Sequence, residues 1–434
     1  MKKAIIAIFL TCLLCSCAPT FKYEVLQSTM KAGNCPGAAE FVKNNQKQYG
    51  KKAQLLFMLD SGMINLQCGN YDLAGKHFSD AEGLAAQLWT KSITKGAASM
   101  VTNDLIMHYG GEDFERAMIN LFSAISYIKK GEYDEAMTDC RRLDTLLNEY
   151  NNKHKKKNVY KEDALGRYIS GVLSEADREY SEAYIYYYEA FKAFQNYNSA
   201  YGTATPAVLF EDLLRVAGPA DRLSEARALM GGARNIKYLK HKKAKRMGKV
   251  VLIHLNGKGP KKMENKYTVR TQTGPVSIAF PKYVSSPPVC HESKLIVKSD
   301  TKTYTSNAVL FEDINKIAHK SLADRKVRTT AKAIARAVAK QAVVNAGSRE
   351  IEKKYGAGWG LAAKIVGKVA ASATEKADTR AWRTLPGEIN VTRTFVPPGN
   401  YQVLVENCHG SQQSLDSLSV KAGETKFVVH YSIY

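Results

Sequence analysis

Residues 103–150 read NDLIMHYGGEDFERAMINLFSAISYIKKGEYDEAMTDCRRLDTLLNEY, and this stretch decides the fold of the first half of the chain. A Gly-Gly pair precedes Glu112 and Asp113, and acidic residues suit a helix N-terminus because they complement the helix dipole. Apolar residues then recur every three or four positions until Gly131, and the same spacing resumes after Tyr133. The stretch therefore predicts two helices that are joined by a tight turn.

Two further helix pairs repeat this pattern, one before the stretch and one after it. The marker positions are Gly62, Ala74, Phe78 and Ala81 in the first copy, Ala124 and Ala136 in the second, and Gly171, Ala183, Tyr187 and Ala190 in the third. They match the tetratricopeptide repeat (TPR), in which small residues let two helices approach and a bulky residue fills the gap. Gly69 and Gly131 precede the second helix of their copies, whereas Arg178 takes that place in the third. We predict an irregular, α-helical TPR-like array over residues 17–230.

The first residues of the chain have the pattern of a secretory signal. A basic pair is followed by an apolar run at residues 4–14 that is too short to span a bilayer. Leu14 and Ser16 before Cys17 resemble the lipobox of bacterial lipoproteins, which implies removal of residues 1–16 and acylation of Cys17, for example with palmitate. By resemblance to Gram-negative sorting rules, Ala18 implies the outer membrane, facing the periplasm. The alternative is a plain cleaved signal without a lipid.

Five cysteines follow this segment, and they suit an oxidising compartment. Cys35 pairs with Cys68 and Cys290 with Cys408 if each disulfide stays within one domain, which leaves Cys140 as a buried helix residue. No Cys-x-x-Cys motif or Cys/His spacing indicates a metal site. We therefore expect two disulfides and no metal or other cofactor.

The pattern changes after residue 230, and short strand-like runs replace the helical periodicity. We predict a basic linker at 231–248 and a β-sandwich-like domain at 249–434, with a helical insertion at about 314–384. The expected strands are 249–256, 266–271, 276–280, 295–299, 304–311, 388–395, 401–406 and 426–434. The predicted fold class is therefore α+β, with the helical array first and the sheet domain second.

Two interpretations fit the helices of the insertion. From Val327 onward, a thin stripe of Ala, Val and Ile alternates with a basic stripe until an Asn-Ala-Gly sequence at 345–347. This helix either packs against a second one at 361–375 as a hairpin, which its small residues favour, or lies on an anionic membrane.

The segment from Arg234 to Arg270 carries a strong positive charge. It holds thirteen Lys or Arg residues against the single acid Glu264, within a chain of formal net charge +22. The candidate residues for an anionic partner are Lys240, Lys242, Lys243, Lys245, Arg246, Lys261 and Lys262. Behind a signal peptide, the expected partners are lipopolysaccharide, phospholipid headgroups, peptidoglycan carboxylates or an acidic protein face, and not nucleic acid. A solvated linker between domains is the plain alternative.

The sequence offers no convincing catalytic group. Glu112, Asp113 and Glu115 are adjacent at a helix start, whereas a glycosidase needs two carboxylates on opposing walls of a cleft. No Ser/His/Asp or Cys/His grouping follows from the spacing. We therefore expect that the protein is not an enzyme.

A resemblance covers most of residues 100–407. The strings GEDFERAMIN, DALGRYISGVLSEADREYSEAYIYYYEAF, GKVVLIHLNGKGP and ADTRAWRTLPGEINVTRTFVPPGNYQV resemble blocks of a family of bacterial TPR-like envelope lipoproteins that has no agreed activity. Members of that family tend to be encoded beside small outer-membrane lipoproteins, including ones similar to activators of peptidoglycan synthases. The resemblance implies a protein–protein interaction scaffold in cell-envelope assembly, linked to peptidoglycan synthesis or export. The alternative is a binding module for peptidoglycan or lipopolysaccharide.

Overall fold

Helices fill the first half of the chain. The computed structural model describes residues 21–94, 105, 107–153, 160–229, 236–271, 274–373 and 375–433. The helices of this half are α1 (Tyr23–Lys31), α2 (Cys35–Asn44), α3 (Gln46–Tyr49), α4 (Gln54–Gln67), α5 (Tyr71–Thr94), α6 (Asp113–Lys130), α7 (Tyr133–Lys153), α8 (Ala164–Ala176), α9 (Tyr180–Tyr201), α10 (Ala207–Ala217), α11 (Leu223–Leu229) and α12 (His241–Ala244). The pairs α4/α5, α6/α7 and α8/α9 are the three predicted copies.

The close approach of paired helices is confirmed at the marker glycines. A Cβ atom on Gly62 of α4 would lie 2.6 Å from the ring of Phe78 in α5, and one on Gly171 of α8 would lie 2.5 Å from Tyr187 in α9. Both rings are completely buried. The bulky residue of the second helix thus occupies the space that the missing side chain leaves, and the array is TPR-like as predicted.

The turn inside each pair uses one backbone conformation. Gly69 and Gly131 have φ angles of +80°, and Arg178 has +68° at the equivalent place. Glycine adopts this left-handed conformation freely, whereas a residue with a Cβ atom is strained there. The third copy therefore keeps the turn of the other two and carries the strain at Arg178.

Strands make up most of the second half. They are β1 (Gly248–Asn256), β2 (Lys258–Thr271), β3 (Gly274–Ser286), β4 (Ser293–Lys298), β5 (Thr303–Asp313), β6 (Glu388–Val396), β7 (Gly399–Asn407), β8 (Gln412–Val420) and β9 (Thr425–Ser432). Seven of them form one sheet in the order β8-β7-β4-β5-β6-β1-β9, and β2 with β3 forms a separate two-stranded ribbon. The pairing of β1 with β9 is parallel, and β1 pairs with β6 in the antiparallel sense.

The seven-stranded sheet curves around a core of its own. Side chains from all seven strands, among them Val250, Leu252, Val297, Val403 and Val428, share one apolar cluster. This single curved sheet differs from the expected sandwich, which has two separate sheets, although its two ends enclose a core in a similar way. The strand β8 was not predicted from the sequence, because its exposed residues are almost all polar.

The insertion after β5 is a long helical hairpin, formed by α13 (Ile314–Tyr355) and α14 (Ala357–Ala373). α13 continues through Asn345 and Gly347, where we expected it to end, and stops 42 residues from its start at Gly356. Near its middle, Ala333 and Ala337 pack on Val276 and Ile278 of the ribbon. Hairpin packing is thus the arrangement found. In the described part of the chain, no helix combines the length and the apolar character that crossing a membrane requires.

The other face of the sheet packs on the helical array. Alternate residues of β1 point to opposite faces, and Val251, Ile253 and Leu255 belong to the same apolar core as the helix residues Phe122 and Tyr168. The first helices of the second and third pairs lie against β9 and β5, and the first helix of each of the three pairs is buried along most of its length. The inner face of the array is therefore covered by the chain's own second half.

Candidate binding surfaces

An extended segment between α14 and β6 fills the inner face of the first two helix pairs. Its Trp382 is 1% exposed and packs against the rings of Phe78 and Phe122, at centroid distances of 6.2 and 5.8 Å, and these two rings also contact each other. The backbone N–H of Trp382 donates to Glu115 Oε1 at 2.8 Å, and its indole N–H donates to Thr384 Oγ1 at 2.9 Å. The array thus binds an extended peptide, and that peptide is part of the same chain.

Asp60, which belongs to α4 of the first helix pair, binds the end of this segment. Its carboxylate accepts hydrogen bonds from Thr384 Oγ1 at 2.7 Å, from the Tyr23 hydroxyl at 2.7 Å and from the Tyr49 hydroxyl at 2.8 Å. Burial raises the pKa of Asp60 to about 6, although these hydrogen bonds and Arg383 favour the charged form. One buried carboxyl group therefore joins Tyr23 and Tyr49 to the segment between α14 and β6.

Glu112 at the start of α6 is an anchor for the β2–β3 ribbon and α13. It caps the helix together with Glu115, as the acidic pattern predicted, and it pairs with Lys262 and Arg325. Burial raises the pKa of Glu112, but the two cations outweigh burial and lower it to about 2. Lys262 was expected to face an anionic partner; this expectation is wrong, because its side chain is buried against Glu112.

A second buried ionic cluster joins the third helix pair to the sheet. Arg215 of α10 donates to Glu175 Oε1 at 2.6 Å and to Asp212 Oδ1 at 2.5 Å. From the sheet, Lys249 Nζ reaches Glu175 at 2.6 Å and Arg393 Nε reaches Asp212 at 2.8 Å. Burial raises the pKa of Glu175, but Arg215 and Lys249 outweigh it and hold the pKa well below its usual range. These charges fix the array and the sheet in one relative position.

The basic segment that follows the array is exposed. Its members are Lys240, Lys242, Lys243, Lys245 and Arg246, and Lys261 at the start of the ribbon is also exposed. The short helix α12 attaches this segment to the third helix pair, since the ring of His241 lies 4.6 Å from that of Tyr180 at the start of α9. The structure therefore keeps six of the seven cations named from the sequence at the surface, and five of them lie in or directly next to α12.

Two tyrosines of α9 lie at the outer surface of the array. Tyr187 points into the core and is 0% exposed, whereas Tyr186 and Tyr188 are half-buried at the surface and Ile185 is 57% exposed. Arg141 of α7 contacts this group through a hydrogen bond to the Tyr186 hydroxyl at 3.4 Å. We call these residues, Arg141, Ile185, Tyr186 and Tyr188, the outer patch. The patch lies away from the inner face of the array, which packs on the sheet.

The cysteines lie where the sequence analysis paired them. Disulfides join Cys35 to Cys68 and Cys290 to Cys408, and Cys140 is a buried thiol whose pKa burial raises to about 12. His409 lies close to the second disulfide, but both sulfur atoms there are bonded to each other and are not thiolate ligands. Cys17, the predicted acylation site, lies outside the described residues.

Comparisons with known proteins give structural neighbours only. No protein-family model matches the chain, and no curated protein matches it. A Podosopora anserina protein of the kinesin light chain type, with nearly identical TPR-like repeats, covers 49% of this chain and 91% of its own at 12% identity and a TM-score of 0.32. A tetratricopeptide repeat protein from Parabacteroides merdae covers 50% and 93% at 12% identity and a TM-score of 0.16. The TPR-like character of this array rests on its own contacts at Gly62 and Gly171.

Proposed function

We propose that the protein is a lipid-anchored scaffold of the bacterial outer membrane that faces the periplasm and holds an envelope protein, and that it is not an enzyme. The lipobox-like residues before Cys17 support the anchor. The disulfides Cys35–Cys68 and Cys290–Cys408 support an oxidising compartment, because such bonds persist there and are rare in the cytosol. The family resemblance supports a role in envelope assembly near peptidoglycan synthesis or export.

One observation carries the proposal of a scaffold: the inner face of the array is closed by the protein's own sheet and by Trp382. A partner therefore binds to an outer surface, and the buried clusters around Glu112 and Glu175 keep that surface rigid. A rigid binding surface loses little conformational entropy when a partner docks, which favours affinity.

The outer patch and the basic segment beside it are the surface that we assign to the partner. The patch combines an exposed aliphatic side chain, Ile185, with the tyrosines Tyr186 and Tyr188, and aromatic residues are enriched at protein interfaces. The cations of the basic segment adjoin His241, which contacts Tyr180 at the start of α9, and they attract an acidic protein. The partner is accordingly an envelope protein with an apolar centre and an acidic rim.

A reciprocal pull-down from membranes of the native host tests this assignment. The partner of the wild-type protein is identified by mass spectrometry, purified and rebound to Ile185→Asp, with Leu73→Asp as the matched control. Leu73 is 51% exposed on α5 of the first helix pair, so both variants place one carboxylate on an exposed helix face. We expect loss of binding only for Ile185→Asp. Equal binding by both variants, or no envelope protein bound by the wild type, contradicts the proposal.

A second candidate function is binding to an anionic envelope polymer, and the exposure of the basic segment favours it. The test compares Lys240, Lys242, Lys243 and Lys245 changed together to Gln with the control Lys22, Lys31, Lys43 and Lys47 changed to Gln, which are also exposed. Binding to purified peptidoglycan or lipopolysaccharide is measured over a salt series, since charge-driven binding weakens with salt. If this candidate function is correct, the wild type and the control variant bind the polymer at low salt, and the variant with Lys240, Lys242, Lys243 and Lys245 changed does not.

The anchor is tested separately from the partner. Cys17→Ser is expected to release the protein from the membrane fraction into the periplasm, and globomycin is expected to cause the uncleaved form to accumulate. A protein that is processed normally in the presence of globomycin is not a lipoprotein of this type.

A further inference from the structure

The helical hairpin of α13 and α14 carries most of the exposed apolar side chains in the described part of the chain. Fourteen large apolar residues are exposed there, and eight of these lie between residues 343 and 369. Those on α14 are Trp359, Leu361, Ile365, Val366 and Val369, which are 55–67% exposed. Apolar residues that are exposed singly are common, but a contiguous group marks contact with another molecule.

α14 uses its smallest residues to pack against α13. A Cβ atom on Gly360 would lie 2.5 Å from Cβ of Glu352, and one on Gly367 would lie 2.7 Å from Cγ1 of Val344. The glycine side of the helix is thus pressed onto its neighbour, which turns the large side chains away from it. The large side chains are therefore exposed because the glycines pack on α13.

The large side chains form one continuous stripe along the outer side of α14. At about 100° per residue, Trp359, Leu361, Ile365, Val366 and Val369 fall within about 160° of the helix circumference. Lys364 and Lys368 border the stripe, and α14 contains no acidic residue. The sequence therefore places an apolar stripe, a terminal tryptophan and a basic border on one short helix.

This combination fits the interface of an anionic membrane. Helices that lie at the surface of a bilayer bury an apolar stripe among the lipid headgroups while lysines bind the anionic lipids, and tryptophan favours this depth. A second copy of the chain is a poorer occupant, because an antiparallel symmetric contact would bring the Lys364 and Lys368 borders of both copies together. We propose that the outer stripe of α14 inserts into the headgroup region of a membrane rich in anionic phospholipid. This contact is independent of the lipid anchor and of the outer patch.

Quenching of Trp359 by brominated lipid measures the insertion directly. The full chain carries Cys17→Ser, so that no acyl chain contributes, and is mixed with vesicles of brominated phosphatidylglycerol or brominated phosphatidylcholine. Trp382 is buried in the core, so it does not reach the lipid. If one of the three tryptophans inserts, emission is expected to fall by about one third with phosphatidylglycerol and much less with phosphatidylcholine. Trp359→Phe is expected to abolish this fall.

Two variants in the same background separate insertion from adsorption. Ile365→Asp with Val369→Asp places two carboxylates in the stripe at exposed positions that the fold tolerates, and we expect it to abolish the quenching. Leu73→Asp, an exposed change on α5, is the matched control and is expected to keep it. Circular dichroism checks that both variants are folded.

Two results overturn the proposal. Quenching that is absent, or equal in the wild type and the stripe variant, means that α14 does not enter the membrane. A dimer in sedimentation that only the stripe variant loses, without quenching in the wild type, means that the stripe joins two copies of the chain. Neither result affects the pull-down with Ile185→Asp, so the failure of this inference is distinguishable from failure of the proposed scaffold.

Discussion

Glu115 in the second helix pair accepts a hydrogen bond from the backbone N–H of Trp382 at 2.8 Å, although the two residues are 267 positions apart in the chain. This contact places the segment between α14 and β6 on the inner face of the array. The second half of the chain is thereby packed into the helical array.

Trp382→Ala is expected to lower the free energy of unfolding by about 3–5 kcal/mol, because it leaves a cavity beside Phe78 and Phe122. Urea denaturation measures the effect. Trp359→Ala removes the same side chain from a position that is 67% exposed, and it is expected to cost less than about 0.5 kcal/mol. Similar losses for the two variants would mean that Trp382 is not buried in the array.

Arg178→Gly is expected to stabilise the third helix pair by up to about 1 kcal/mol, since glycine relieves the strain at a φ of +68°. Gly131→Ala introduces a Cβ atom at the equivalent position of the second helix pair, and it is expected to destabilise the protein by about 1 kcal/mol. Thermal unfolding of both variants checks the signs. A stabilised Gly131→Ala variant would show that the two turns do not share this conformation.

Arg215→Met is expected to lower the free energy of unfolding by about 3–5 kcal/mol, because it leaves Glu175 and Asp212 buried without their main counter-charge. The control Arg222→Met removes a partner from the exposed pair Arg222–Glu225 and is expected to change stability little, because solvent screens an exposed pair. Chemical denaturation distinguishes the two, and equal costs would argue against a buried joint between array and sheet.

Two buried histidines are expected to make the protein sensitive to mild acid. Burial, and then the charge of His430, lowers the pKa of His254 to about 3, and burial lowers that of His430 to about 4. The folded state thus binds fewer protons than the unfolded state below pH ~6.5, so stability is full above that value and is lost as the pH falls.

From pH ~6.5 to pH ~5 each ring is expected to cost about 2 kcal/mol of stability. His254→Gln removes one titrating group, so its unfolding free energy is expected to change less over this interval than that of the wild type. Asp60 titrates in both proteins, so the comparison cancels its effect. An identical pH dependence of the two proteins would contradict the assigned burial of His254.

The helix pairs could be predicted because their signals are local. The approach of Phe78 to Gly62 and of Tyr187 to Gly171 follows from apolar spacing within one repeat. Most strands of the second half were predictable from their apolar runs, whereas β8 was missed because a polar edge strand resembles a loop. α13 continues through Asn345 and Gly347, although both residues have low helix propensity. The packing of Val344 against Gly367 of α14 outweighs this local preference.

The surfaces were less predictable, because they depend on contacts between distant parts of the chain. Lys262 resembles the other cations of its segment in sequence, and only Glu112, 150 residues away, makes it a buried residue. The closure of the inner face depends in the same way on Trp382 and Glu115. The run of tyrosines at 184–188 does not show by its spacing alone that Tyr186 and Tyr188 lie on the outer side of the array.

The most direct measurement of the central claim is photocrosslinking in living cells. A photoreactive amino acid replaces Ile185 in the outer patch or, as the control, Leu73 on the first helix pair; both positions are more than half exposed. The account predicts that position 185 crosslinks to one envelope protein and that position 73 does not. Failure of position 185 to crosslink to any protein, while the chain is folded and present at its normal level, would contradict the claim that this surface holds a partner.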